Sequence, residues 1–300
     1  REYIGTTYCK VSPQAAKTKG LDIVTPKIPD LLEQVRNKSE GEVVLFCWRG
    51  GLRSQSFANL CAENHIKVKV LQGGYKAYRR YINKFWSSPI KNRSAVLHGL
   101  TGVGKTEIIA KLACNKPGVI DIEGVANNRG SVFGQAHGGV QPSQKQFEAL
   151  LFNKLAYLST EQIILVECEG KRIGNLHLPV VLFDSMKKGY KIHLYASLEA
   201  RIHRIIRDYG CFDFEVLKGK ISLLTKYLGK KKIDSIQDLV NNNKLYEAVK
   251  ILLVDYYDPL YGYSGTFDKN YDLSINCNNI DDAVEQISLF LRQKEREVLL

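Results

Sequence analysis

The sequence predicts two α/β domains with mostly parallel sheets, followed by a helical C-terminal tail. Three observations predict it. Apolar runs ending in glycine-bearing turns alternate twice with helical stretches, the grammar of parallel strand–helix–strand units. A polar, proline-bearing stretch, residues 87–94, separates the two series. Beyond about residue 212 the apolar spacing turns helical, broken by the Lys-rich and Asn-rich segments 229–232 and 241–244.

In the first series VVLFC (43–47) reads as a buried strand and residues 54–63 as a helix. KVKVL (67–71) is a short strand closed by Gly73-Gly74, and residues 75–85 form a basic amphipathic helix. The second series opens with the strand AVLHGL (95–100), a glycine-rich turn and a helix from Lys105 to about Cys114. GVIDIEG (118–124), a long helix over 143–160 and the strand IILVECEG (163–170) follow. The strand YKIHLYA (190–196) then feeds the basic helix LEARIHRIIRD. The expected domains are 1–88, 94–210, and a helical extension over 211–300 packed on the second.

The 300 residues, 44% of them hydrophobic, are enough for two real cores. Lys and Arg number 43 against 31 Asp and Glu, and the resulting +12 favours a polyanionic partner such as nucleic acid. The seven cysteines (9, 47, 61, 114, 168, 211 and 277) contain no CxxC pair, which excludes zinc-ligand spacing and a disulfide framework. A reducing cytoplasm is the expected compartment. No apolar run approaches the roughly 18–20 residues of a membrane span. The sequence opens on Arg, so its translated start is expected upstream.

Gly99-Leu100-Thr101-Gly102-Val103-Gly104-Lys105-Thr106 fits the phosphate-loop pattern GxxxxGK[ST], in the strand-to-helix context that the pattern requires. Glycines allow successive backbone N–H groups to turn around phosphate oxygens, and the helix adds its positive end. Lys105 is expected to reach the terminal phosphate, and the Thr106 hydroxyl is a candidate Mg²⁺ ligand. Asp121, Glu123, Glu167 and Glu169 are candidate strand-end carboxylates for the same ion, and Arg129 and Arg172 candidate cations for remaining negative charge. No metal is assigned on this spacing alone.

CWRGGLRS (47–54) places a cysteine where a strand gives way to a turn. Backbone N–H groups of residues 48–53, the following helix N-terminus, Arg49 and Arg53 are expected to favour the Cys47 thiolate. Such a cradle suits a nucleophilic sulfur or a carrier of sulfur or selenium. It also suits a phosphatase, which wants Arg six positions after the cysteine, as Arg53 is. Cys61, Cys114 and Cys168 are expected to be small buried hydrophobes.

FCWRGGLRSQS followed by LQGGYKAYRR resembles a rhodanese-like loop with its closing segment, and it precedes a phosphate-loop domain. With IGTTYCKVSPQAAKTKGL, DIEGVANNRGSVFG, KRIG (171–174) and YYDPLY (256–261), the combination resembles the tRNA 2-selenouridine synthases over nearly the whole chain. The resemblance implies a partial rhodanese-like parallel-sheet domain and a P-loop NTPase-like α/β domain. It implies a transferase acting in two steps on wobble 2-thiouridine of tRNA: S-alkylation by geranyl diphosphate, then displacement of the geranyl group using selenophosphate. The loop at 99–106 would then hold diphosphate, Cys47 would serve the selenium step, and no tightly bound cofactor is expected. Two departures stand out. A full rhodanese-like domain begins some tens of residues earlier, so its first part is expected upstream or on a separate chain, leaving a sheet edge exposed. The family's acidic run after the strand reads Glu167-Cys-Glu169-Gly-Lys171 here.

Candidate tRNA contacts are Lys76, Arg79 and Arg80 on one helix, Arg201, Arg204 and Arg207 on another, and Lys230–Lys232. Tyr256, Tyr257 and Tyr261 are candidates for stacking on an unpaired base or contacting the prenyl chain. Two other readings stay open on the residues: an ATP-dependent kinase of a small molecule or nucleoside, and a non-catalytic tRNA-binding module.

Overall fold

A computed structural model describes residues 2–37, 41–128, 140–167, 170–209 and 214–299. The chain divides into two units, residues 1–84 and 85–300.

The first unit contains α1 (Glu2–Lys10), α2 (Pro13–Val24), a 3₁₀ turn (Thr25–Lys27), α3 (Ile28–Asn37), β1 (Val44–Leu45), α4 (Leu52–Glu63), β2 (Lys69–Val70) and α5 (Gly74–Trp86), in whose last turn the division falls. Pro13 at the first turn and the Ser12 side chain, which accepts from Ala15 N at 3.0 Å, start α2. β1 and β2 pair in parallel, Val44 opposite Lys69 and Leu45 opposite Val70, and are connected through α4. Both strands are shorter than their apolar runs, because residues 46–51 leave the ladder to form the cysteine loop. Cys61 and Ile82 are fully buried, whereas Val44 and Phe46 on the strand side are exposed.

The second unit is a doubly covered parallel sheet. Its elements are β3 (Ser94–His98), α6 (Lys105–Ala113), β4 (Val119–Ile120), α7 (Ile122–Ala126), α8 (Gln144–Leu155), β5 (Ile164–Glu167), a hairpin of β6 (Arg172–Ile173) and β7 (Leu176–His177), α9 (Val180–Lys188), β8 (Tyr190–Tyr195) and α10 (Leu198–Tyr209). Then come α11 (Phe214–Ser222), α12 (Thr225–Leu228), α13 (Lys230–Asn241), α14 (Leu245–Leu252), a π-helical turn (Leu253–Tyr257), α15 (Asp258–Tyr261), β9 (Leu273–Asn276) and α16 (Ile280–Leu299). The sheet order is β4-β5-β3-β8-β9, every pair parallel. The central strands β3 and β5 are buried on both faces, which is why they read as continuous apolar runs rather than alternating ones. One core packs α6 and α16 against the sheet, a second packs α8 and α9, and a third joins α10 to α11–α14.

The structure departs from the sequence reading in four places. GVIDIEG is strand only over Val119–Ile120, because the Asp121 side chain accepts from Gly124 N at 2.6 Å and caps α7. The helix expected over 143–160 ends at Leu155. The polar stretch 87–94 belongs to the second unit: Asn92 Nδ2 donates to Ser159 O and Gln162 O at 2.6 and 2.8 Å, and Ile90 packs on the second core. The mainly helical tail also supplies the edge strand β9, four residues whose partner is about 80 residues away in sequence on β8. No helix of the described residues is long and apolar enough to cross a membrane.

Ile287 is fully buried in the first core, where α16 covers the sheet. Ile287→Ala is expected to cost about 2–5 kcal/mol, measured by urea denaturation, because the truncation removes buried methyl groups and leaves a cavity in the first core.

Candidate functional site

Between β3 and α6 the chain turns through Gly99, Gly102 and Gly104, all at positive φ (154°, 81° and 102°). At Gly99 a Cβ would lie 2.5 Å from Leu194 O, so glycine is required there by space as well as by conformation. No side chain caps α6, so its first-turn amides and their dipole are presented to an incoming anion. Lys105 Nζ donates to Gly99 O at 2.7 Å and to Leu100 O at 3.4 Å, folded over the loop.

The loop is gripped from outside. Arg201, 3% exposed, donates from Nε to Thr101 O at 2.8 Å and makes a two-pronged pair with Asp258 at 2.5 and 3.0 Å. Arg204 donates to Gly102 O, Val103 O, Cys277 O and Asn278 O. Both arginines were expected on an RNA-facing surface. Arg201 is instead buried and Arg204 half-buried, each committed to loop carbonyls, because α10 packs directly beneath the loop. Arg207, the third of the set, is exposed and paired to Glu107 at 2.7 Å and Asp208 at 3.0 Å.

The loop opens into a cavity of about 640 Å³. Its polar part is lined by Gly99, Thr101–Glu107, Glu123, Asn128, Glu167, Arg172 and Arg207; its apolar part by Ile205, Val249, Leu252, Leu253, Tyr257, Tyr261 and Tyr263. Glu167 ends β5 almost completely buried (1% exposed), and its Oε1 accepts from Glu123 N at 3.3 Å. Arg172 donates from Nε to Gly174 O at 2.7 Å and stays at the cavity edge. Asp121 does not line the cavity, since its carboxylate caps α7. Arg129 and Glu169 lie outside the described residues, as does Cys168. Among the described residues no group of three or more His, Cys, Asp or Glu converges as a metal cage.

Of the three tyrosines singled out from sequence, Tyr257 and Tyr261 line the cavity, whereas Tyr256 packs between Tyr227 and Tyr257. The reading missed Tyr263, Asn128 and the whole wall from α14. The YYDPLY segment was the only signal, and nothing local in it points back to residue 99.

In the first unit the Cys47 sulfur accepts from Gly51 N at 3.2 Å and from the Ser54 hydroxyl at 3.4 Å. Its pKa falls to about 6: the Ser54 hydroxyl is the largest cause, burial opposes it, and the backbone amides of Arg49, Ser54 and Gly51 add to the lowering. Arg49 therefore acts through its amide; hydrogen bonds carry the effect that was expected of the two guanidinium groups. The loop is held shut by the Gly73-Gly74 turn, where Tyr75 N donates to Cys47 O at 2.9 Å and Lys76 N to Trp48 O at 3.0 Å. A Cβ on Gly50 would lie 2.6 Å from Gly74 N, so two glycine-bearing turns must cross with no side chain between them. Lys76, Arg79 and Arg80 all lie on α5 after this crossing, with Arg79 bonded to Asn83 at 2.9 Å. Cys61 is buried as expected, but Cys114 is exposed at the end of α6.

Fold and sites together define a phosphate-loop α/β protein that also carries an activated cysteine in a separate α/β unit. A family model described as the tRNA 2-selenouridine synthase AAA domain matches residues 92–216. The tRNA 2-selenouridine synthase of Shewanella frigidimarina is 33% identical over 299 residues, covering 88% of this chain and 80% of that protein. Those of Pseudomonas syringae pv. syringae and Alcanivorax borkumensis are 31% and 35% identical, covering 80% and 68% of their own lengths. The chain belongs to the tRNA 2-selenouridine synthase family. A gluconokinase from Sinorhizobium meliloti superposes with 12% identity over 71% of this chain and 98% of its own; a TM-score of 0.32 adds nothing to the topology above.

Two outcomes follow from this geometry. Alkylation of Cys47 by iodoacetamide, followed by peptide mass spectrometry, is expected to have its midpoint near pH 6. Ser54→Ala removes the largest cause of the lowering, so the midpoint moves upward, toward an ordinary thiol. Arg201→Met leaves Asp258 without its partner and Thr101 O without its donor. A stability loss of about 3 kcal/mol in urea is expected, with weaker binding of inorganic diphosphate by calorimetry.

Proposed function

We propose that this protein is a tRNA-modifying transferase that converts wobble 2-thiouridine to 2-selenouridine through an S-geranyl intermediate. The observation that carries the reading is the cavity itself: a phosphate loop continuous with an apolar wall of Ile205, Val249, Leu252, Leu253 and three tyrosines. A nucleotide donor has a polar base and sugar beyond its phosphates, whereas a prenyl diphosphate has hydrocarbon there, and an apolar wall suits hydrocarbon.

In the first step the thiocarbonyl sulfur uses a lone pair to form a bond to C1 of geranyl diphosphate. The C1–O bond breaks and its electron pair leaves with diphosphate, and the N3 proton is lost to solvent, which leaves the S-geranyl base neutral. The α6 amides and Lys105 provide a pre-built site for that leaving charge. Thr106 and Glu167 would hold Mg²⁺ with phosphate oxygens and water, supplying further charge neutralisation. Alkylation turns a poor leaving sulfur into a good one: in the second step the selenium of selenophosphate bonds to C2, the C2–S bond breaks and geranylthiol leaves, and water takes the phosphoryl group from selenium as phosphate. Cys47, largely thiolate near neutral pH, is assigned to that second step. The basic side chains of α5 and Lys230–Lys232 are proposed to contact the tRNA backbone, and the reaction belongs in the cytoplasm with its substrate.

The test is nucleoside mass spectrometry on 2-thiouridine tRNA incubated with geranyl diphosphate and selenophosphate. Lys105→Ala is expected to abolish both products; Cys47→Ala is expected to accumulate the geranylated nucleoside. ATP consumption with no change in nucleoside mass would overturn this reading in favour of a kinase.

A further inference from the structure

Two histidines directly behind the phosphate loop have no part in the chemistry above. His98 ends β3 and His193 lies opposite it on β8 in the parallel register. His193 is fully buried, with Nδ1 on Ser274 Oγ and Nε2 on Ser264 O, both at 3.0 Å. Through Ser264 it fastens the start of the irregular segment 262–272 to the sheet, while Ser274 is its neighbour on β9. Tyr271, from the same segment, stacks on His193 at 4.8 Å. His98 meets Tyr263 edge to face, ring centroids 5.8 Å apart at 78°, with Nδ1 3.4 Å from the Tyr263 hydroxyl. Burial first, then Lys191, Lys105 and His193, hold the His98 pKa down at about 4, so the imidazole facing Tyr263 stays uncharged.

This fastening has a consequence for the cavity. Tyr263 lines it, and Tyr261 stacks on Tyr263 at 5.9 Å and 18°. His98 is the residue before Gly99, so its partner's ring stands at the start of the phosphate loop, beside the Lys105 ammonium's carbonyl partner. As the C1–O bond of an allylic diphosphate stretches, positive charge spreads over the allyl unit within a few ångströms of the bound diphosphate. The face of an aromatic ring attracts such charge, most strongly in a dry site.

We propose that Tyr263 touches the reacting allylic unit of the donor and stabilises its developing positive charge, and that His98 is the positioning residue for Tyr263. The inference rests on the geranyl-transfer reading. Its test is steady-state transfer from geranyl diphosphate to 2-thiouridine tRNA by the full chain, with kcat and KM separated. Tyr263→Leu is expected to lower kcat about 30-fold with KM within about threefold, and Tyr263→Phe, which keeps the ring, to stay within about threefold of the parent. His98→Leu is expected to lower kcat alone, and to add nothing in the Tyr263→Leu background. Inorganic diphosphate binding should be the same in parent and Tyr263→Leu. Transfer by the parent with kcat unchanged in Tyr263→Leu, a change in KM alone, or loss of diphosphate binding in Tyr263→Leu overturns this inference and leaves the function standing. No transfer by the parent overturns both.

Discussion

A phosphate loop binds anions through backbone amides, and here their presentation depends on what the loop carbonyls do. Arg201 takes Thr101 O, and Arg204, itself on the cavity lining, takes Gly102 O and Val103 O. With these carbonyls occupied by arginines, loop amides are left for an anion, Val103 N excepted, which donates to Leu100 O at 3.3 Å. Arg201 in turn is fixed by Asp258, which sits next to the tyrosines of the apolar wall. One buried ion pair therefore ties the grip on phosphate to the position of the hydrocarbon wall. A buried pair of this kind is a weak source of net stability, and its value here is geometric.

The cysteine loop solves a similar problem by different means. Its sulfur is surrounded by amides and one hydroxyl, and the turn Gly73-Gly74 closes over it through Tyr75 N and Lys76 N. Preorganised dipoles lower the thiol pKa without bringing a mobile charge against the sulfur. The Ser54 hydroxyl is the largest cause, and the backbone amides of Arg49, Ser54 and Gly51 add to it.

Local pattern made much of this visible in advance. The apolar runs at β3 and β5 are legible because both faces are covered, and the glycine spacing at 99–104 is legible because positive φ admits little else. Cys47 stood out for the same reason, set among glycines at a strand end. What misled was charge read without depth. Arg201, Arg204 and Arg207 look alike on an amphipathic helix, yet they are buried, half-buried and exposed. Asp121 reads as a strand-end carboxylate until the chain is seen to turn into α7 at that very residue.

The sequence by itself determined the phosphate loop and the cysteine loop, each specified by residues within about ten positions of one another, and the two α/β units and the family, which show in the succession of such local patterns along the chain. Only the tertiary structure decided the apolar wall, the Arg201–Asp258 tie, β9 and the His98–Tyr263 contact. Each of these joins residues 50 to 170 positions apart, and no local period records such a meeting. The end of α14 is held over the cavity by the third core, and Tyr263, after α15, packs against the first.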